Sequence, residues 1–423
     1  MAHVREPLAT SRVPGPYRVG RACRRAAAAA AVAAALGLSG CSAGAPTPSV
    51  AGTPASPQSP AAAPAPTLAA TPAVPSAASP PCSNTRVLAN WSVQRLAEQV
   101  VIVPVQENSV GSASAEVVAG VGGVVLFGNS APTNLGQSLR RLRELAPAGI
   151  APMVMVDEEG GSVQRMANLV GMLPAARQMG ATLNPAQITR IGALLGQRLR
   201  ALGVNVDLAP VLDADGRPGP TDQNPIGSRS FSADPAIART DGLAFAQGLE
   251  SSGVLPVIKH FPGLGGATGN SDLGPSSTLP WPSLERSGLL PFAAAAAAGV
   301  PALMIANASV PGLTTLPASI SPAVITGILR GQLDFRGLVV TDSMSAVALR
   351  RSGYSVPAAS AAAIRAGADM ILFNASSTSM PALAQQTVLS LVAAVERGTV
   401  DRSRLIDAVT HILTSKNIDL CAG

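Results

Sequence analysis

The segment that decides the fold is an apolar run that ends in acidic residues, Pro152-Met153-Val154-Met155-Val156-Asp157-Glu158-Glu159-Gly160-Gly161. An uninterrupted apolar run of this length is typical of a parallel β-strand that is covered on both faces. Seven similar runs recur along the chain. We therefore predict strands at Val100–Val105, Gly123–Phe127, Pro152–Asp157, Val204–Leu208, Leu255–His260, Ala302–Ala306, Leu338–Asp342 and Met370–Phe373.

Segments with a helical pattern alternate with these strands. Several begin at a proline that follows Asn, Asp or Ser, and several end at glycine, as helix start and stop signals do. Eight β/α repeats predict an α/β fold, a (β/α)8 barrel of the TIM type in one domain (82–423), with a doubly wound sheet as the alternative. The predicted helices are Leu135–Leu145, Pro185–Leu202, Pro235–Ser251, Pro282–Ala298, Pro322–Leu333, Ser345–Ala366, Leu383–Arg397 and Leu405–Leu413.

The first 81 residues have a different composition. A basic stretch ends at Arg24-Arg25, and the apolar run Ala26–Leu38 that follows is shorter than the ~20 residues of a bilayer span. Residues 1–40 are therefore predicted to be a signal peptide. Leu38-Ser39-Gly40-Cys41 resembles the lipobox of bacterial lipoproteins, which implies that Cys41 is lipidated. The alternative is a simple secretory signal.

Residues 41–81 are almost entirely Ala, Pro, Ser, Thr and Gly, so they bury little apolar area and predict a disordered tether. We expect an exported protein, lipid-anchored on the extracytoplasmic face of the cell membrane. The formal charge of +6 is concentrated in the leader, where six arginines face one glutamate. The rest of the chain is nearly neutral, and a nucleic-acid partner has no support from charge.

The four cysteines fit export. Cys23 is removed with the leader and Cys41 takes the lipid, which leaves Cys82 and Cys421 at the two ends of the folded region. In an oxidising compartment we predict a disulfide between these two; the alternative is a pair of free thiols.

Chemically active residues are concentrated where the predicted strands end, which is where barrel enzymes carry their catalytic groups. Such carboxylates and cations are rarely buried without partners, so a purely structural role in the core is excluded. Asp213 and Asp234 could instead cap helix N-termini. The strand-end groups are Asp157-Glu158-Glu159-Gly160-Gly161, Asp207, Asp213, Lys259-His260, Asn307 and Asp342.

Four motifs resemble glycoside hydrolase family 3. Residues 157–165 are similar to its DEEGGxVxR signature, residues 259–263 to KHFPG, residues 227–231 to G(D/N)RSF, and residues 337–344 to its nucleophile strand. They occur in the family order over nearly the whole folded region. The subgroup most similar is the single-domain bacterial β-N-acetylglucosaminidases that act on cell-wall sugars.

The resemblance implies a role for each matched residue. Asp342 is the nucleophile of a retaining glycosidase, which needs a carboxylate to form a glycosyl-enzyme. Lys259 and Arg229 would hold Asp342 ionised and bind sugar hydroxyls, and His260 would be a further donor. Asp157 would accept from sugar hydroxyls, with Arg165 as its clamp. The partner is a carbohydrate or cell-wall glycan; no cofactor or metal is expected.

The sequence departs from the subgroup in the loop after KHFPG. The subgroup pattern KHFPGHGxxxxDSH places an Asp-His acid/base pair there. In this chain Leu264, Asn270 and Asp272 occupy those positions, Asn307 replaces a histidine after the sixth strand, and Ser162 replaces an arginine. The three histidines are His3, His260 and His411, so no loop histidine, histidine zinc site or Ser-His-Asp triad is available.

Three hypotheses follow from this replacement. Asp272 could act directly as the acid/base, as a carboxylic acid does in most glycosidases. The protein could be a slow or altered hydrolase that handles good leaving groups or transfers the sugar to another acceptor. It could also have lost catalysis and act as a sugar-binding lipoprotein of the cell envelope.

Overall fold

The computed structural model describes residues 82–422, and all eight predicted strand regions contain strand structure. The region Leu255–His260 is divided into two short strands. A hairpin of two short strands, which the apolar pattern did not predict, follows Asp157. The strands are β1 Val101–Gln106, β2 Gly123–Phe127, β3 Met153–Val156, β4 Glu158–Gly160, β5 Val163–Gln164, β6 Val206–Asp207, β7 Leu255–Pro256, β8 Ile258–Phe261, β9 Ala302–Ile305, β10 Leu338–Thr341 and β11 Ile371–Leu372.

The strands form an α/β fold with two parallel sheet segments. One has the order β11-β1-β2-β3-β6-β7 and the other the order β10-β9-β8, while β4 and β5 form a separate antiparallel pair. Single parallel bridges, Val211 with Lys259 and Val340 with Met370, connect the two segments. β3 to β10 are buried along their lengths except at β5 and Leu255, as expected for strands with cover on both faces.

The helices confirm most of the predicted positions. Pro185–Leu202 and Pro235–Ser251 have the predicted bounds, and their caps are Asn184 and Asp234. Asn184 and Gln187 form a reciprocal capping box, which satisfies two backbone donors at once. The other helices are Asn84–Leu88, Val93–Gln99, Ser114–Ala119, Leu135–Glu144, Ala167–Val170, Ala176–Thr182, Trp281–Glu285, Leu290–Ala297, Ala323–Gln332 (a π-helix), Val347–Arg351, Val356–Ala366, Met380–Glu396 and Arg402–Ser415.

Two predicted helices are each two helices in the structure. The segment predicted as Ser345–Ala366 turns at Gly353, whose φ of 87° is a left-handed conformation that ends the first helix. Ser355 then caps the second helix by accepting from the Ala358 N–H. The segment predicted as Pro282–Ala298 has a break between Trp281–Glu285 and Leu290–Ala297. The helical periodicity of the sequence does not reveal either break.

The two ends of the described chain are held together. Cys82 and Cys421 form a disulfide with a Cα–Cα distance of 5.9 Å. Beside it, Asn84 Nδ2 donates to the Ile418 carbonyl (2.8 Å) and Asn84 Oδ1 accepts from the Leu420 N–H (2.7 Å). The predicted signal peptide, Cys41 and the tether lie outside the described residues. Within residues 82–422, no helix is long and apolar enough to cross a bilayer.

Candidate active site

A pocket of about 440 Å³ opens at the carboxyl ends of the strands. The structure brings together there every residue that the sequence assigned to catalysis or substrate binding. Asp157, Arg165 and Asp342 directly follow β3, β5 and β10. Lys259 and His260 lie within β8, and Arg229 and Asp272 lie between strands. The pocket is lined by Asp157, Arg165, Arg229, Lys259, His260, Asp272 and Asp342, together with Glu159.

Paired charges form one wall of this pocket. Lys259 Nζ lies 2.7 Å from Asp157 Oδ1 and 2.6 Å from Glu159 Oε1. Arg229 donates through Nε and Nη2 to the two oxygens of Glu159 at 2.7 and 2.8 Å, a bidentate pair. Within residues 82–422 neither Lys259 nor Arg229 forms an ion pair with Asp342, so the expectation that they hold Asp342 ionised remains a prediction. Their ion-pair partners are Asp157 and Glu159, because the β4–β5 hairpin directs Glu159 inward between the two cations.

The charges in this wall stabilise one another. Burial by itself would raise the pKa of Glu159, but the charges of Arg229 and Lys259 outweigh it and hold the pKa far below its ordinary value. Burial would lower the pKa of Lys259, and the carboxylates of Asp157 and Glu159 reverse that and raise it. Glu159, Lys259 and Arg229 therefore stay ionised near neutral pH. Glu159 stands among the strand-end groups of the sequence but had no role assigned to it, although two cations beside one aspartate were a signal that a second anion was needed.

His260 is oriented by Asp213. The Asp213 carboxylate accepts from His260 Nδ1 (2.7 Å), from the His260 backbone N–H (3.2 Å) and from the Leu264 N–H (2.6 Å). The proposal that Asp213 caps a helix is therefore wrong, since its side chain is buried beneath the pocket. A carboxylate on Nδ1 fixes the proton on that nitrogen and leaves Nε2 for the pocket.

Asp342 follows β10 directly. Its backbone N–H donates to the Ile305 carbonyl on β9 (2.9 Å), so the sheet fixes where the side chain emerges. The Ser343 N–H donates to Asp342 Oδ1 (2.7 Å). The carboxylate is half-buried, and it forms no ion pair with a basic side chain of residues 82–422. It is thus accessible to a molecule in the pocket.

Asp272 lies on the loop after β8, at the mouth of the pocket. Burial by the surrounding chain and the negative charge of Asp342 raise the pKa of Asp272 to about 6, against the opposing charges of His260 and Arg229. The side chain keeps an exposed surface. The pocket therefore holds two carboxylates that differ in environment, one at a strand end and one on a loop, which are close enough for one to affect the other.

Backbone contacts hold this loop. The Asn270 N–H donates to the Asp222 carbonyl (3.0 Å), and the Ala348 N–H donates to the Ser271 carbonyl (3.0 Å). Asn270 Oδ1 accepts from the Asp272 N–H (2.9 Å), so Asn270 supports the backbone of Asp272.

Three further residues that the sequence singled out, Asn307, Leu264 and Ser162, lie next to Asp342 or line the pocket. Asn307 is fully buried, where Nδ2 donates to the Ser343 carbonyl (2.7 Å) and Oδ1 accepts from Ser319 Oγ (2.6 Å). It therefore fixes the backbone next to Asp342. Leu264 is buried and presents an apolar surface to the pocket, and Ser162 also lines it.

Beneath the hairpin lie three buried carboxyl groups, of Glu107, Glu158 and Asp207. Burial raises the pKa of all three, that of Glu107 to about 7. Glu158 Oε1 accepts from the backbone N–H groups of Arg165 (2.7 Å) and Met166 (2.6 Å). Arg165 is thereby held 3.7 Å from Asp157, as the sequence analysis expected of a clamp.

One group of potential metal ligands occurs away from the pocket, formed by Asp369, Asp407 and His411. Asp369 is already paired with two arginines, Arg330 at 2.7 Å and Arg404. Its charge is therefore neutralised by the protein itself, and the cluster acts as an ion-pair centre between the π-helix and the last helix.

Comparisons with known proteins identify the family. A family model described as the glycosyl hydrolase family 3 N terminal domain matches residues 97–415. The chain belongs to glycosyl hydrolase family 3. It is 34% identical over 303 residues to the beta-hexosaminidase LpqI of Mycobacterium tuberculosis, which covers 70% of this chain and 76% of the relative.

Solved structures give the same result. A family 3 glycosyl hydrolase from Mycobacterium smegmatis has a TM-score of 0.70 at 33% identity and covers 78% of this chain and 98% of that one. The beta-N-acetylhexosaminidase of Beutenbergia cavernae has a TM-score of 0.69 at 30% identity and covers 78% of this chain and all of that one (100%). The family resemblance stated from the four motifs is confirmed.

Proposed function

We propose that this protein is a retaining glycoside hydrolase that releases β-linked N-acetylglucosamine from cell-wall glycans. The observation that carries the proposal is the pair of carboxylates in one pocket, Asp342 at a strand end and Asp272 with a pKa of about 6. Two carboxyl groups with different environments are what this chemistry needs. The relatives named beta-hexosaminidase and beta-N-acetylhexosaminidase support the choice of sugar.

In the first step, the Asp342 carboxylate attacks the anomeric carbon and forms a glycosyl-enzyme while the bond to the leaving oxygen breaks. Asp272 in its acid form donates its proton to that oxygen. In the second step, Asp272 as a carboxylate takes a proton from water, which displaces Asp342 and releases the sugar. A pKa near 6 suits both directions of transfer, because acid and base forms are both populated near neutral pH.

The ion-paired wall would bind the sugar. Asp157 has a half-buried carboxylate that accepts from hydroxyls, and Lys259 and Arg229 keep their charges at the pocket surface. His260 presents Nε2 as a further hydrogen-bonding group, and Arg165 lies at the rim beside Asp157. These groups are rigid before substrate arrives, which lowers the cost of ordering them on binding.

The proposal also includes closure of the strands into a barrel. We infer that the two parallel segments close into one eight-stranded (β/α)8 barrel over residues 82–423. The bridges between Val211 and Lys259 and between Val340 and Met370 support closure, as do backbone bonds such as the Thr341 N–H to the Met370 carbonyl (3.0 Å).

A second candidate is a sugar-binding lipoprotein of the cell envelope with impaired catalysis. The observation that favours it is the exchange of potential proton carriers for Leu264 and Asn270 at the mouth of the pocket. In that case the ion-paired wall still binds the sugar, while proton transfer to the leaving group is too slow to matter. Between these two candidates lies a slow or altered hydrolase that acts on good leaving groups or transfers the sugar to another acceptor.

One experiment separates these functions. The mature protein is assayed on an aryl β-N-acetylglucosaminide whose leaving group needs no proton and on a cell-wall disaccharide. Turnover of both substrates, with disaccharide turnover lost in Asp272→Ala, supports the hydrolase. Turnover of the aryl glycoside alone supports altered chemistry. If neither reacts and mass spectrometry finds no glycosyl adduct on Asp342, the enzyme proposal is wrong.

We also propose that the protein is exported and anchored in the cell membrane through a lipid on Cys41, with residues 41–81 as a tether. The lipobox-like Leu38-Ser39-Gly40-Cys41 supports this, and the disulfide between Cys82 and Cys421 fits an oxidising compartment. Intact-mass measurement of the mature protein tests it: a mass without diacylglycerol on Cys41 contradicts the anchor.

A further inference from the structure

A second cavity, of about 720 Å³, opens at the opposite end of the strands from the active site. Its wall includes the residues that lead into β6, β7, β9 and β10, namely Asn205, Val254, Pro301 and Gly337. Catalytic groups in folds of this kind lie at the carboxyl ends of strands, so this cavity is a separate site.

Cations predominate among the charged residues that line the cavity. Arg143, Arg200, Arg336 and Lys416 contribute to its wall, against Glu250 and Asp334. Asp334 is already paired with Arg336. Within residues 82–422, Arg143, Arg200 and Lys416 have no ion-pair partner. Arg143, Arg200 and Lys416 therefore share one concave surface, in which Glu250 is the carboxylate left to balance three cations.

The clustering of positive charge disfavours the charged form of Lys416. Its ammonium nitrogen donates to Gln99 Oε1 at 3.3 Å, and the side chain contributes to the cavity wall. Burial and the positive charge of Arg143 together lower the pKa of Lys416 to about 7. A positive charge is thus unfavourable at this point unless an anion joins it.

We propose that this cavity binds an oxyanion of the phosphate class between Arg143, Arg200 and Lys416. A phosphate offers several charged oxygens at once, which suits two planar guanidinium groups and one ammonium. Binding would neutralise the repulsion between Arg143 and Lys416. The proposal does not depend on the glycosidase function.

Two sources could supply such a group, a soluble phosphate or the headgroup of an anionic lipid. The described chain begins at Cys82, which is bonded to Cys421, and Asn84 contacts Ile418, shortly beyond Lys416. The predicted tether therefore joins the domain near the rim of this cavity. Proximity to the tether makes a membrane headgroup a source that the experiment must distinguish.

A purely structural role predicts a different behaviour. Arg143, Arg200 and Lys416 all lie at C-terminal ends of helices, where cations interact favourably with the helix dipole. That interaction stabilises the fold whether or not phosphate is present. Only a binding site makes the effect of a substitution depend on the ligand.

The test uses the full-length protein and inorganic phosphate at constant ionic strength. We expect saturable binding by titration calorimetry and a rise in melting temperature with phosphate. Lys416→Met and Arg143→Met should each weaken binding by about tenfold or more, equivalent to ~1.4 kcal/mol. The matched control is Arg190→Met, on the helix of Arg200 but exposed and outside the cavity, which should bind phosphate normally.

The proposal is overturned if phosphate gives no saturable binding, if Arg190→Met weakens binding as much as Lys416→Met, or if Lys416→Met binds as tightly as the unaltered protein. Vesicles then identify the source. Binding to phosphatidylglycerol but not phosphatidylcholine vesicles, lost in Lys416→Met and competed by phosphate, supports a lipid headgroup. Binding of phosphate without any effect of Lys416→Met on vesicle binding supports a soluble ligand.

Discussion

The two halves of the active-site pocket are built by different means. In the wall at the ends of β3 and β8, ion pairs of 2.6–2.8 Å join Asp157, Glu159, Arg229 and Lys259. In the loop that carries Asp272, backbone hydrogen bonds provide the support, and the one titrating side chain has a pKa of about 6. The ion-paired groups and the group that would transfer a proton therefore lie in different parts of the pocket.

Because of this difference, we expect substitutions in the two halves of the pocket to have different effects. The ion-paired wall is interdependent, because removing one carboxylate leaves buried cations without partners. The residues of the loop, in contrast, contribute to the pocket independently of one another. We therefore expect substitutions in the wall to affect stability and binding together, and substitutions in the loop to affect the chemical step alone.

The largest effect on the chemical step is expected at Asp272. Asp272→Asn removes the proton donor, so kcat on a native β-N-acetylglucosaminyl disaccharide should fall by roughly 10²–10⁴-fold. An aryl glycoside with a good leaving group should form the glycosyl-enzyme at a nearly normal rate. Asp222→Asn, at an exposed carboxylate on the rim, is the control. Equal losses on both substrates would show that Asp272 is not the acid.

The wall is tested by Glu159→Gln. This change leaves Arg229 without a charged partner in a buried setting and Lys259 with Asp157 alone, so the free energy of unfolding should fall by about 3–5 kcal/mol. Chemical denaturation measures it. Glu144→Gln, at an exposed glutamate at the end of its helix, should be nearly neutral. A stable Glu159→Gln protein with normal KM would contradict the interdependence of the wall.

The pH profile tests the difference in titration between the halves. The donor form of Asp272 is the protonated one, which is present below its pKa and lost as pH rises through about 6. We expect kcat/KM on the disaccharide to fall about tenfold per pH unit on the alkaline side. This limb should disappear in Asp272→Asn. A limb that persists in the variant assigns the titration to another group.

The smallest effect is expected at Asn270. Asn270→Ala removes the acceptor of the Asp272 N–H, a hydrogen bond worth about 1 kcal/mol, so kcat should fall about fivefold while KM stays constant. Asn134→Ala, at a helix start where the side chain makes no capping bond, is the control. If KM changes and kcat does not, the loop contributes to binding and the comparison between the halves fails.

Much of the fold could be predicted from sequence because its signals are local. The helices Pro185–Leu202 and Pro235–Ser251 have a capping residue, a first-turn proline and an apolar stripe, and both bounds were correct. The apolar runs located all eight strand regions. The break at Gly353 was missed because alanine-rich sequence on both sides continues the helical pattern.

The sequence predicted which residues line the candidate site but not which of them pair with each other. Strand ends meet at one edge of a parallel sheet, so Asp157, Lys259 and Asp342 could be placed together from sequence. The sequence could not predict which carboxylate pairs with which cation, since Arg229 and Glu159 are separated by 70 positions. Asp213 was misassigned for the same reason: a carboxylate before a helix and one beneath a histidine look alike in sequence.

By itself, the sequence of this protein determined the alternation of strands and helices, the family, and the set of polar residues at the strand ends, because each depends on neighbours in the chain. The tertiary structure alone decided that Glu159 neutralises Lys259 and Arg229, that Asp213 orients His260, and that Asp272 titrates near pH 6. Those properties depend on burial and on charges a few ångströms away in space, which residues distant in the chain provide.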